Sequence, residues 1–417
     1  MSEITTYEKT KDSGIEWIGS VPSHWRVHTL YQLVTQVKEK NSNLQEKNLL
    51  SLSYGKIKRK DIDSPDGLLP ASFDGYNIIE DGDIVLRLTD LQNDHTSLRV
   101  GLATERGIIT SAYTTLRPID TSNSKYLYYL LHAFDLKKGF YGMGSGVRQG
   151  LNYAEVKELR VVLPGQDEQN AIVRFLDNQC GQIDSIIEEA KSSIEEYKKW
   201  RASIIFGAVT KGLNPLAEMK DSHIDWIGLV PSHWKLSRIK NELDNLDYLR
   251  EPISAEKREN ILGLYDYYGA SGVIDKIDDY NVDDKVLLIG EDGANLRMRN
   301  LPLVYKAEGK FWVNNHAHIL KVHDDNCYGF IAYLLEAGDY SVFITGSAQP
   351  KLSQFNLMRF PIVIPPLVEQ QKIEAYLDEK CSAIDALIRE KKSLLSELEI
   401  YKRSLILETV TGKRKVV

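Results

Sequence analysis

His316 and His318 stand two apart, the spacing that puts two imidazoles on one face of a strand and could give a metal two of its ligands. No third His, Cys or carboxylate follows at ligand spacing, so a strand with both side chains on one polar face is the simpler expectation, and no metal is assigned. Gly142 to Gly146 reads GMGSG, but Val147 and Arg148 follow it outside any strand–turn–helix context, so it is a weak dinucleotide signal. Asp283–Lys285 and Asp378–Lys380 are chance-level fragments of a nuclease pattern. There is no GxxxxGK[ST] phosphate loop and no N/D-P-P-Y/F tetrapeptide of the amino-methyltransferase kind. The sequence offers no catalytic constellation.

What remains is chemistry for holding anions and reading bases. Tyr54 stands beside the run Lys56, Lys58, Arg59 and Lys60, a candidate for phosphate contact. Arg87, Arg99 and Arg106 follow, and an arginine can read guanine with two hydrogen bonds. A later group comprises Arg297, Arg299, Lys306 and Lys310, then Asn314 and Asn315, whose amides suit adenine. Two Gly-containing polar loops, Gly142–Asn152 and Thr345–Ser353, carry Arg148 with Gln149 and Gln349 with Lys351. Either they bring backbone amides near a phosphate or they simply connect neighbouring elements.

The elements that must carry these residues are announced by an internal repeat. Asp12–Trp25 (DSGIEWIGSVPSHW) and Asp221–Trp234 (DSHIDWIGLVPSHW) are identical at eleven of fourteen positions. Leu151–Thr210 aligns without a gap onto Leu352–Thr411, with shared EQ, LD, Cys, ID and V-T positions. The offsets are 221 − 12 = 209 and 352 − 151 = 201, so the second intervening stretch is eight residues shorter. The two intervening stretches look unrelated. Trp17, Trp25, Trp226 and Trp234 recur in both frames and are expected in the core rather than at a ligand.

After Pro164 and after Pro365–Pro366, each second segment reads as one helix of about forty residues, roughly 60 Å long. One apolar seam runs through Ile172, Leu176, Ile183, Ile187 (or Ile186), Ile194 and Tyr197. The other runs through Ile373, Leu377, Ile384, Ile388 (or Leu387), Leu398, Tyr401 and Leu405. Such stripes cannot stay in water, so the helices are expected to pack on each other, antiparallel and pseudo-two-fold, or else each on its own neighbour. Asp-Gly and Gly-rich turns between Val/Ile/Tyr runs make the intervening stretches mostly β. Each closes with a helix, near 125–136 and 328–338. The expected class is α+β: two mostly β modules with short helices, separated by two long antiparallel helices. The expected division is 1–151, 152–212, 213–352 and 353–417.

Composition sets bounds. The net charge is −7, with 15 basic and 14 acidic side chains over 26–143 and 13 against 19 over 235–343. Any DNA contact must therefore come from local clusters. No apolar run is long enough for a membrane helix, and the N-terminal stretch has no signal-like apolar core. Three Cys without CxxC spacing fit a reducing cytoplasm, with Cys180 and Cys381 as small packing groups.

The combination resembles the specificity subunit of type I restriction–modification systems. The resemblance rests on the WIGxVPSHW segments, the Gly/Gln loops, the helix starts with Pro shortly before EQ, and the helix ends Phe206–Gly212 and Glu408–Gly412. Tyr267–Tyr280 followed by Leu287–Leu296 looks like target-recognition domains of that family. The resemblance implies two target-recognition domains, each reading half of a bipartite site on double-stranded DNA. The helices would set the spacer. Two adenine methyltransferase subunits would bring S-adenosylmethionine, and restriction/translocase subunits would bring ATP and Mg. The chain itself would bind no cofactor and catalyse nothing. A stand-alone two-domain DNA-binding regulator, a coiled-coil scaffold that binds no DNA, and a methyltransferase in its own right remain open at this point.

Overall fold

The structure is a computed structural model. It describes residues 5–63, 70, 72–94, 96–143, 150–259 and 263–416. These form two compact units: residues 1–190 with 392–417, and residues 191–391.

Each repeated frame is a hairpin followed by a strand. In the first unit Thr10–Asp12 pairs with Ser20–Pro22, and in the second Met219–Asp221 pairs with Leu229–Pro231. The connecting turns are the same: Asp12 Oδ1 accepts from Gly14 N at 2.9 Å, and Asp221 Oδ1 from His223 N at 2.8 Å. Both turn positions are left-handed, φ +65° at Gly14 and +54° at His223, a region His enters more readily than most side chains do. The next strand, Arg26–Thr29 or Lys235–Arg238, pairs with Arg160–Leu163 or Pro361–Ile364. Chain entry and exit are thus hydrogen-bonded together at the base of each module. That arrangement lets the module between them vary freely.

The modules differ in sequence yet share one sheet order, which the sequence did not suggest. In the first unit the order is Val34–Gln36, Thr114–Pro118, Ile84–Leu86, Val100–Leu102. In the second it is Leu243–Asn245, Ala317–Val322, Val282–Gly290, Val304–Val313, extended by Tyr265–Gly269 and Gly272–Ile277. In the first module the corresponding hairpin, Leu50–Ser53 with Lys56–Arg59, forms a separate two-stranded sheet. Buried apolar side chains dictate the fold here, and many residue combinations satisfy the same pattern. The closing helices run Ser124–Leu136 and Tyr328–Ala337, within two residues of expectation.

The long helices run Gln166–Lys211 and Leu367–Val410, 46 and 44 residues, somewhat longer than the forty expected. In the first unit Ile172, Leu176, Cys180 and Ile183 share a core with Leu405, Ile406 and Val410. In the second, Ile205, Ala208 and Val209 share one with Ile373, Leu377 and Cys381. The start of each helix therefore packs on the end of the other. The compact units cut through both helices near 190 and 391, so the helices are not bodies separate from the modules. Ile187, Ile194, Ile384 and Ile388 are buried, while Ile186 and Leu387 are 44% and 38% exposed, which fixes the phase of the seam. Tyr197 and Leu398 are half-buried. Tyr401 departs from expectation and is 47% exposed. The neighbouring position turns inward instead: Lys402 Nζ bonds Asp184 at 2.6 Å in the first unit, and Arg201 Nε meets Asp385 at 3.1 Å in the second.

The repeated motifs now have mechanical roles. Glu168 and Glu369 each hold a frame histidine, His24 and His233, at 2.8 Å. Gln169 and Gln370 donate to Pro164 O and Pro365 O at 2.9 Å, capping the turn into the helix. Asp177 and Asp378 accept from Tyr129 and Tyr333 at 2.8 Å, tying each module helix to its long helix. Trp25 and Trp234 are buried. Helix ends close over them at Gly412 (φ +69°) and Gly212 (φ +73°), where a Cβ would lie 3.3 and 3.2 Å from the indoles. All three cysteines are free and buried.

Candidate nucleic-acid interface

In the second unit three loops meet at the end of the central strand. Gly290 has no room for a side chain, because Ala270 O lies 2.7 Å from where a Cβ would be. Beyond it Glu291 N donates to His316 O at 2.8 Å, Gly293 N to Pro350 O at 3.0 Å, and Leu352 N to Glu291 O at 2.7 Å. These bonds stitch together segments 291–299, 314–316 and 345–351. Beneath them sits Arg250, which sequence reasoning missed. Its guanidinium meets Glu291, lies 3.4 Å from Asp247, and reaches the carbonyls of Asn315 and Ala317. Burial alone would raise the Glu291 pKa, but bonds from Arg250 and Lys351 (3.0 Å) outweigh it and hold the carboxyl below its ordinary value. Only packing brings Arg250 to this place, and no sequence signal near it pointed there.

Around this support stand Arg297, Asn315, Gln349 and Lys351, all exposed. Arg297 donates to Gly346 O at 3.0 Å, which joins its loop to the Gln349 loop. His316 lies among them, 2.7 Å from Asp292. Four of the sequence candidates are thus brought together. Others are not. Asn314 is buried, and its Oδ1 accepts from His316 N at 2.8 Å, so it shapes the turn rather than facing a base. Arg299 is tied to the end of the module helix through Glu336 O. Lys306 and Lys310 are exposed elsewhere, over Tyr333 (5.3 Å) and Tyr280 (4.4 Å). Lys310 pairs with Asp283, seven residues before Gly290 and so roughly 23 Å away along the strand. The two histidines do not share a face as expected. His316 is half exposed before the strand, whereas His318 is enclosed between Asp247 (2.6 Å) and Leu352 O (2.8 Å). Among the described residues no group of three His, Cys, Asp or Glu is arranged to hold a metal.

The first unit repeats the junction: Leu151 N donates to Leu88 O at 2.9 Å, the counterpart of Leu352 and Glu291. Arg99, expected at the surface, is fully buried. It donates to Tyr141 Oη at 2.9 Å and to the carbonyls of Arg87 (3.1 Å), Thr89 (2.8 Å) and Asp90 (3.3 Å), so it organises the loop from inside. Arg87 stays partly exposed, 3.6 Å from Asp94. Tyr54 and Gly55 form a two-residue turn with φ +47° and +76°, and Tyr54 is 78% exposed. Lys56 lies 3.9 Å from Asp184, Arg59 is held by Glu105, and Arg106 by Glu46 and Glu80. Among the described residues Lys58 and Lys60 have no ion-pair partner. Arg148 and Gln149 lie outside the described residues.

With these features in place, comparison with known proteins is informative. Residues 231–397 match the family described as Type I restriction modification DNA specificity domain. The chain is 32% identical over 146 residues to the putative type I restriction enzyme specificity subunit S.HindORF215P of Haemophilus influenzae, covering 35% of this chain and 36% of that protein. It is 30% identical over 119 residues to the putative type I restriction enzyme MjaX specificity subunit of Methanocaldococcus jannaschii, covering 28% and 26%. The matches thus span about a third or less of these relatives' lengths. A solved chain from work on complex assembly and conformational transition of the type I R-M system superposes with a TM-score of 0.67 at 14% identity, over 94% of this chain and 98% of that one. The two chains therefore share a fold. Residues 231–397 are thus similar to the type I restriction modification DNA specificity domain, and parts of the chain are similar to type I specificity subunits.

Proposed function

We propose that the chain is the DNA-specificity subunit of a type I restriction–modification complex. Each module reads one half of a bipartite, asymmetric site on double-stranded DNA, and the long helices set the gap and dock two adenine methyltransferase subunits. The observation that carries this reading is the recurrence of one junction, Leu151 on Leu88 and Leu352 on Glu291, in two modules whose intervening sequences look unrelated. Equivalent junctions in modules of different sequence suit two readers of different half-sites, each adding effective concentration for the other. The chain does not itself catalyse. S-adenosylmethionine belongs to the methyltransferase subunits, ATP and Mg to restriction/translocase subunits, and the complex works in the cytoplasm. No helix among the described residues is long and apolar enough to cross a membrane.

Co-expression with an adenine methyltransferase subunit, followed by mapping of modified adenines, tests the proposal. The expected result is a motif of two unlike halves with a fixed gap. Methylation at a single uninterrupted motif, or at no motif, overturns it.

A further inference from the structure

The two frames differ in what covers their histidine–glutamate pairs. In the first unit Tyr7 lies over the His24–Glu168 pair: its hydroxyl donates to Glu168 Oε1 at 2.6 Å, and its ring meets His24 and Trp25 at 6.0 and 6.2 Å. The residue 209 positions on is Leu216. The backbone there is equivalent, since Ser23 N donates to Lys9 O at 3.0 Å and Ser232 N to Glu218 O at 2.7 Å. Leu216 points away from the frame, 90% exposed. The His233–Glu369 pair is intact at 2.8 Å, but among the described residues nothing donates to Glu369 Oε1. The glutamate side chain is 27% exposed, against 13% for Glu168. Where Tyr7 would lie there is a cleft of about 370 Å³ lined by Lys211, Leu213, His233, Val368, Glu369 and Lys372.

We infer that this cleft of the second unit is a docking site for a tyrosine carried on an acidic extended segment of a partner protein. The occupied frame shows the ligand chemistry: a phenol that donates to the glutamate and lays its ring against the histidine. The apolar share of the cleft is suited to an aromatic ring, since Leu213 and Val368 are 41% and 64% exposed. The charge of the segment follows from Lys211 and Lys372, both exposed and without an ion-pair partner among the described residues. The segment is assigned to a partner because the counterpart position within the chain is a leucine turned to solvent. This inference is independent of the DNA reading proposed above.

The probe is a fluorescein-labelled peptide, Gly-Asp-Tyr-Glu-Gly, titrated against the full chain by anisotropy, with its Tyr→Phe analogue alongside. The Tyr peptide is expected to bind at least tenfold more tightly, the order expected for a hydrogen bond to a charged acceptor. Glu369→Gln, which leaves only a neutral acceptor, should reduce that preference severalfold, and Glu168→Gln should leave it. Leu216→Tyr, which fills the cleft from within, should abolish binding and raise the melting temperature. That variant guards against a merely misfolded Glu369→Gln. Equal binding of the Tyr and Phe peptides, undiminished binding to Leu216→Tyr, or no binding at millimolar peptide overturns the inference.

Discussion

Arg99 and Arg297 read alike in the sequence, as cations near turns in β-rich stretches. Arg99 sends its donors into main-chain carbonyls of its own loop and sees no solvent, whereas Arg297 reaches out beside Gln349. Their variants should therefore fail differently. Arg297→Ala should weaken binding of cognate DNA by about 1–3 kcal/mol with an unchanged melting temperature. Arg99→Ala should leave buried carbonyls unpaired and destabilise the chain by roughly 3 kcal/mol or more, read as a lowered denaturation midpoint. A stable Arg99→Ala protein, or full DNA affinity in Arg297→Ala, would reverse these roles. The run from Lys56 to Lys60 teaches the same lesson. Alternation along a strand sends Arg59 to Glu105 and leaves Lys58 to solvent, so a run of like charge is not a patch of like charge.

Among the elements, the module helix Ser124–Leu136 carries two buried titratable groups with opposite pH behaviour. Burial pushes the Asp135 carboxyl up to about 6 and the His132 imidazole down to about 4, the latter with help from Lys402 and Arg403. An acid whose folded pKa lies above its unfolded value of 3.8 favours the folded state at low pH, and that contribution is lost as pH rises through about 6. A base with a depressed pKa does the reverse: its contribution is present above the ordinary value of 6.5 and lost as pH falls through about 4. The two nearly offset each other between pH 4 and 6.5. Asp135→Asn should unmask the histidine, so that unfolding free energy falls by ~3 kcal/mol more than in the wild type from pH 6.5 to 4. Denaturant titrations at the two pH values check this, and parallel loss in both proteins refutes it. The long helices show the limit of a seam read from spacing. The apolar stripe is interrupted where Arg201 and Lys402 take the inward position to meet Asp385 and Asp184.

At the scale of the whole molecule, the repeat builds two units that each take half of both long helices. If the helices fix the gap between half-sites, their length must be readable in the DNA. Four residues inserted in each helix, between 190 and 191 and between 391 and 392, add one turn of about 6 Å, close to two base-pair rises. The methylated motif should then keep both halves and gain one or two base pairs of gap. An unchanged gap in an active, folded variant removes the spacer role.

The sequence alone determined the duplication, the extent of the frames, the long helices and the β character of the modules. Each of these follows from a local period or a literal repeat, which neighbouring residues encode by themselves. Tertiary structure alone decided that the two modules share a strand order, because burial constrains apolar pattern and volume but not residue identity. It also decided which cations face outward, since Arg99, Arg250 and Arg297 differ only in what packs around them. The cleft beside Glu369 belongs to the same class. Leu216 is unremarkable in the sequence, and its meaning emerges only because folding places its counterpart, Tyr7, on Glu168.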